Sequence, residues 1–88
     1  MKIKEGFILK TVANQHIVFP TGNDAINFNG LMRLNETGKE LFSFLQTEKT
    51  YEELLNFLLD SYDIDETTAK KDLDQFIFDL KQHNIIDL

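Results

Sequence analysis

The sequence contains no cysteine, which excludes disulfide bonds, thiolate nucleophiles and cysteine-based zinc sites together. Its four glycines, Gly6, Gly22, Gly30 and Gly38, are too scattered to form a glycine-rich phosphate loop. No apolar run approaches the roughly 18 residues of a membrane-spanning helix, and the N-terminus lacks the apolar core of a signal peptide. These absences predict a cytoplasmic protein that does not associate with a membrane.

The side chains that catalysis or metal binding would need are also sparse. The two histidines, His16 and His83, lie in different predicted elements without ligand spacing, so each is expected at the surface or at a strand end. The acidic segment that begins at Asp60 has Asp65 where a calcium loop needs its central glycine. No serine lies in a nucleophile-elbow context. We therefore predict no catalytic residue, no metal, no cofactor and no enzymatic activity.

Charge is divided unevenly along the chain, whose net charge is −6. Residues 1–35 carry four basic and two acidic side chains, whereas residues 36–88 carry five basic and thirteen acidic ones. DNA-binding proteins draw most of their affinity from lysine and arginine placed at phosphates. The acidic half of this chain therefore argues against a nucleic-acid partner.

The 88 residues are enough for one domain, and no linker or internal repeat divides residues 1–88.

The sequence of the first part of that domain predicts a β-hairpin. β-Branched and aromatic residues fill segments 7–12 and 16–19, and Asn14 between them tolerates the left-handed backbone of a tight turn. Pro20 then ends the second strand, because proline cannot donate to a ladder.

A third strand is predicted before the helical half. Phe28, Met32 and Leu34 fall on one face of it, and Leu31 and Arg33 on the other. Because this strand follows a loop rather than a second tight turn, it can lie at the edge of the sheet, where unpaired amides and carbonyls accept an added strand. The alternative is that residues 31–34 are core and that a loop covers the edge.

Three helices are predicted in the rest of the chain. Asn35 caps the first, Thr50 and Glu53 form a capping box at the second, and Asp65 caps the third, which ends at Asn84. Each helix carries one apolar stripe at helical spacing. The stripes are Leu41, Phe42 and Leu45, then Tyr51, Leu54, Leu55, Leu58 and Tyr62, then Ala69, Leu73, Phe76, Ile77 and Leu80. The predicted fold is α+β, a three-stranded antiparallel sheet followed by three helices (βββααα), and is similar to a winged helix-turn-helix.

Three segments carry a resemblance to a known family. They are the hairpin end Val18-Phe19-Pro20-Thr21-Gly22, the junction Leu34-Asn35-Glu36-Thr37-Gly38 running into Leu41–Leu45, and the acidic step Tyr62–Glu66 before a long last helix. From about Phe7 to Ile86 the chain resembles the PqqD-like proteins, the stand-alone form of the recognition element for ribosomally synthesised, post-translationally modified peptides. It departs from them at Phe42, where the family often has tryptophan, and at residues 46–49, where the family often has an Asp-Gly turn.

The resemblance implies that the protein binds the leader segment of a precursor peptide by β-augmentation and presents it to a modifying enzyme, commonly a radical-SAM enzyme. In the family the leader lies between the third strand and the third helix. The implied peptide-binding residues are Leu31, Met32, Arg33 and Leu34 on the strand, and Lys70, Leu73, Phe76, Ile77 and Leu80 on the helix. The resemblance leaves open which flank of that helix faces the groove. A proline at Met32 is expected to abolish binding by removing a ladder donor.

Two other functions are considered. A winged-helix DNA-binding regulator would need a basic recognition helix, whereas the third helix carries Asp72, Asp74 and Asp79. A general protein–protein adaptor, monomeric or homodimeric, is favoured mildly by Phe57 and Phe78, which lie off the apolar stripes.

Overall fold

The computed structural model describes residues 1–21 and 32–88. In this part of the chain, a short strand precedes the hairpin and another short strand follows the last helix. The elements are β1 (Lys2–Ile3), β2 (Phe7–Val12), β3 (Gln15–Pro20), β4 (Met32–Leu34), α1 (Glu36–Phe44), α2 (Tyr51–Ser61), α3 (Glu66–Gln82) and β5 (Ile86–Asp87). The predicted α+β fold is confirmed: β2, β3 and β4 form an antiparallel sheet, and three helices follow it. The predictions for Phe28 and Leu31 lie outside the described residues.

The three-stranded sheet has the order β2-β3-β4, so β4 pairs with β3 on one side and is an edge strand among the described residues. Ala13 and Asn14 form the two-residue turn between β2 and β3, with φ of 52° and 64°. Two positive φ values identify a type I′ turn, whose twist matches that of the flanking strands. The predicted hairpin is therefore confirmed.

Side-chain caps begin all three described helices where the sequence predicts them. Asn35, Thr50 and Asp65 each accept a hydrogen bond from the backbone N–H three residues further on. The Glu53 side chain completes the capping box by accepting from the Thr50 N–H at 3.0 Å. Asn84, with φ of 56°, follows the end of α3 in the left-handed conformation that commonly terminates helices.

A second, two-stranded sheet joins the two ends of the described chain. β1 pairs with β5 antiparallel, so that Ile3 lies opposite Ile86. The Ile3 N–H also donates to the Leu45 carbonyl at 2.9 Å, which connects this sheet to the end of α1. The residues that follow α3 are therefore partly strand.

The core lies between the inner face of the larger sheet and the apolar stripes of the helices. All five predicted stripe residues of α3 are buried, as are Leu41, Phe42 and Leu45 at α1 and Leu54, Leu55 and Leu58 on α2. Phe57, expected off the stripe, stacks on Phe44 with ring centroids 4.4 Å apart. It is therefore packed against the edge of the core, whereas Phe78 on α3 is 55% exposed.

Candidate functional site

A groove of about 220 Å³ runs between β4 and α3. We call it the β4–α3 groove. Its strand side and floor come from β4, from the Asn35 cap and from the first turns of α1, and its other side is one flank of α3. It is lined by Met32, Arg33, Leu34, Asn35, Thr37, Gly38, Leu41, Asp72, Gln75, Phe76 and Asp79.

The hydrogen-bond phase of the sheet determines which backbone groups face this groove. A type I′ turn closes with a bond between Val12 and Gln15, and bonded pairs then alternate with non-bonded pairs along an antiparallel ladder. The Thr21 N–H donates to the Gly6 carbonyl at 2.6 Å, at the position where the same alternation places a bonded pair. Ile17 therefore bonds to its partner on β2 rather than to Arg33, which lies opposite it on β4.

The backbone N–H and C=O of Arg33 consequently point away from β3, toward the sheet edge that no other described strand covers. Met32 and Leu34 lie opposite Val18 and His16, and their backbone groups are used in the β3–β4 ladder. A proline at Met32 would remove a donor that holds the sheet together. The donor available to an added strand belongs to Arg33.

Side chains on β4 alternate between the groove floor and the solvent. Met32 and Leu34 are buried on the inner face of the sheet, whereas Arg33 is exposed on the outer face. Leu41 from α1 and Phe76 from α3 complete the apolar floor. The floor therefore offers a narrow apolar surface directly beside the free strand edge.

The helix side of the groove is polar and acidic. Asp72, Gln75 and Asp79 lie on one flank of α3, next to Phe76. The Gln75 amide donates to the Asp79 carboxylate at 2.9 Å, which leaves that carboxylate with further acceptor capacity. The charged side chains beside the groove are thus the Asp72 and Asp79 carboxylates on its helix side and, on the outer face of the strand that borders it, the Arg33 guanidinium.

Gly38 sits where α1 passes closest to β4. Its N–H donates to the Asn35 side chain at 2.7 Å. A Cβ at this position would lie 3.2 Å from that Asn35 oxygen and 3.2 Å from the Leu34 Cβ, closer than ordinary van der Waals contact. A residue without a Cβ therefore lets the helix cap and the strand edge come together.

A buried histidine on β3 contacts the start of α1, beside the junction between β4 and α1. His16 on β3 is 7% exposed, and its Nε2 lies 2.6 Å from the Glu36 carboxylate at the start of α1. Its Nδ1 lies 2.7 Å from the Thr11 hydroxyl. The expected surface position of His16 is wrong, whereas the expected position near a strand end is right, since His16 is the second residue of β3. Its ring is buried on the inner face of the sheet, where the start of α1 contacts it. The hydrogen bond and then the charge of His16 lower the pKa of Glu36.

The structure brings together some of the predicted peptide-binding residues. Met32, Arg33, Leu34 and Phe76 line the groove. Leu73 and Leu80 are fully buried in the core, and Ile77 lines a separate depression with Phe78 on the other flank of α3. Lys70 is exposed outside the groove lining, 3.6 Å from Glu66. Leu31 lies outside the described residues.

The sequence prediction for the helix side missed Asp72, Gln75 and Asp79. At 100° per residue, these three and Phe76 share an arc of about 100° on α3, directly beside the apolar stripe. That spacing is visible in the sequence, but the opposite flank has an equivalent arc. The choice between the two flanks depends on how α3 packs against β4.

Among residues 1–21 and 32–88, no group of three or more histidine or acidic side chains could hold a metal ion. None of the described helices combines the length and the apolar character needed to cross a membrane.

Comparison with known proteins gives one family and one fold. Residues 15–86 match the family model described as coenzyme PQQ synthesis protein D (PqqD). A similar solved structure is TbiB1 in complex with the TbiA(beta) leader peptide, with a TM-score of 0.76 and 20% sequence identity. The match covers 99% of this chain and 95% of TbiB1. No curated protein matches this chain in sequence.

Proposed function

Because this chain belongs to the PqqD family, we propose that it binds the leader segment of a ribosomally synthesised precursor peptide and presents it to a modifying enzyme. The observation that carries the proposal is the backbone edge at Arg33, which borders the β4–α3 groove and which no strand among residues 1–21 and 32–88 covers. The leader adds to the sheet as a further strand beside β4. The protein acts as a binding module in this proposal, without a catalytic step or a cofactor of its own.

Backbone pairing and the apolar floor supply most of the affinity. An added strand bonds to the Arg33 N–H and C=O, and its inward side chains cover Met32, Leu34 and Phe76. An exposed ion pair to Arg33 contributes about 0–1 kcal/mol and serves mainly to set register. TbiB1, which shares the fold, is known in complex with a leader peptide, so the architecture is compatible with this activity.

The modifying enzyme is proposed to be of the radical-SAM class, and the site of action to be the cytoplasm. The DNA-binding alternative is disfavoured by α3, because Asp72 and Asp79 on one flank and Asp74 on the other would repel phosphates. The general adaptor alternative does not account for a free strand edge beside a groove.

A titration of isotope-labelled protein tests the proposal. The probe is the leader segment of a precursor peptide encoded beside the gene of this protein. We expect backbone amide shifts concentrated on β4, the start of α1 and the Asp72–Asp79 flank of α3. Shifts confined to other surfaces, such as the Phe78 flank, would show that the groove is not the binding site.

A matched pair of variants separates backbone pairing from side-chain contacts. Arg33→Pro removes the edge donor while leaving the β3–β4 bonds in place, so we expect the affinity for the leader to be lost in a folded protein. Arg33→Gln keeps the N–H and should weaken binding only a few fold. Unchanged affinity of a folded Arg33→Pro variant would contradict β-augmentation.

A further inference from the structure

The two sides of the β4–α3 groove carry opposite charges that the described residues do not neutralise. Arg33 lies on the outer face of β4 at the strand edge, and Asp72 and Asp79 lie on the helix side of the groove. Within residues 1–21 and 32–88, neither the Arg33 nor the Asp72 side chain makes an ion pair or a hydrogen bond, and the Asp79 carboxylate receives one amide, from Gln75. These charges are available to a bound peptide.

The register of the sheet determines which peptide side chain meets which charge. A peptide residue directly opposite Arg33 shares its face, so its side chain lies on the outer side of the sheet beside the guanidinium. The two adjacent peptide residues lie opposite Met32 and Leu34 and point inward, toward α3. A bound strand therefore presents alternate residues to cationic and anionic surroundings.

The spacing on α3 indicates how many inward positions are involved. Asp72 and Asp79 are seven residues apart, which is about 10 Å along the helix axis, and Phe76 lies between them. Three alternate residues of a strand span about 13 Å, so that two of them lie opposite Met32 and Leu34 and the third extends beyond the end of β4. A long basic side chain at each end of that span can reach one carboxylate, while the middle residue covers the Phe76 floor.

On the basis of the proposed function, we propose that the groove selects extended peptide segments of the pattern basic–x–apolar–x–basic. The three specified residues face α3, and an acidic residue at one intervening position lies beside Arg33. The protein as a whole favours this class of ligand, because its net charge of −6 attracts cationic segments before contact. Arg33, Asp72 and Asp79 are the specificity-determining residues of the site.

Selection from a displayed library of random peptides, roughly twelve residues long, tests this pattern without a known leader. The full chain is the bait, and Arg33→Pro is the counter-selection that identifies peptides bound through the strand edge. We expect the retained peptides to carry lysine or arginine on both sides of an apolar residue at alternate positions. Retained peptides with no charge pattern, or with acidic residues at those positions, would overturn the inference.

Charge-reversed variants give a second measurement on one synthetic peptide of the expected pattern. Asp72→Lys and Asp79→Lys should each weaken its binding by roughly 5-fold, and a version of the peptide with glutamate at its basic positions should then regain affinity. Asp60→Lys, an exposed residue on α2, changes the net charge equally and should leave affinity nearly unchanged. Equal loss in all three variants would reduce the effect to net charge and overturn the role of the groove carboxylates.

The two proposals fail in different ways. If no peptide shows Arg33→Pro-sensitive binding in either experiment, strand addition at β4 is wrong, and the proposed function falls with the inference. If peptides bind at the strand edge but the Asp72→Asn and Asp79→Asn variants retain the same library peptides as the parent, the proposed leader binding is supported and the proposed selection by charge is wrong.

Discussion

The Nε2 of His16 lies 2.6 Å from the Glu36 carboxylate, which ties the buried face of β3 to the first turn of α1. Because a carboxylate can only accept, Nε2 carries the proton of this bond. His16 is also the residue opposite Leu34 on β4. The same contact therefore supports both the helix start and the strand edge that borders the groove.

Replacing Glu36 with glutamine is expected to lower the melting temperature at about pH 6, and this difference should shrink as the pH falls below 4.5. The pKa of Glu36 lies below its ordinary 4.5, chiefly because of the hydrogen bond from His16. A lowered carboxyl pKa stabilises the folded state above the unfolded pKa, and this contribution is lost as the pH falls through the folded value. Thermal melts of both proteins across this range measure the difference. Glu40→Gln, on the same helix, is the control, and a gap that persists at low pH would contradict the mechanism.

Gly38→Ala is expected to destabilise the protein by roughly 1 kcal/mol. Alanine gains about 1 kcal/mol in helix propensity, but the added Cβ crowds Asn35 and Leu34, and overpacking of this kind costs about 1–3 kcal/mol. Denaturant unfolding measures the change, with Glu40→Ala as the control at an exposed position of α1. A Gly38→Ala variant more stable than the parent would show that the cap and the strand edge move apart freely.

Tyr51 is expected to titrate with a pKa of about 12. Its hydroxyl donates to the Asp74 carboxylate at 2.7 Å, and this bond is the main cause of the shift from 10.0. A raised phenol pKa stabilises the folded state below the unfolded value, and the contribution is lost as the pH rises through about 12. In a Tyr62→Phe background, Tyr51 is the single tyrosine, and its phenolate absorbance reports the titration directly.

Asp74→Ala in that background should move the Tyr51 pKa toward 10.0, because it removes the acceptor. Asp72→Ala, on the opposite flank of α3, is the matched control and should leave the value near 12. A Tyr51 titration that is the same in all three proteins would show that the hydrogen bond to Asp74 does not raise the pKa of Tyr51.

Local sequence determined most of the secondary structure. Asn35, Thr50 and Asp65 begin their helices because each side chain reaches an amide only three residues away. Asn14 lies in the turn that determines the hydrogen-bond phase of the whole larger sheet. The apolar stripe of α3 was predicted residue for residue, since a helix buries what its 3.6-residue period brings to one side. The family resemblance also lay in such local segments.

Only the tertiary structure decided what lies next to what. β1 and β5 pair although they lie near opposite ends of the sequence. Strands of two residues are too short for an alternating pattern that would predict their pairing. His16 is buried because the start of α1 packs against it, and the residues next to it in sequence do not predict this contact. The α3 stripe has polar residues on both flanks, and packing against β4 makes Asp72 and Asp79 the acidic side of the groove. Packing between distant elements depends on the whole surface of each element. The residues on the helix side of the groove therefore could not be predicted from the sequence of α3 alone.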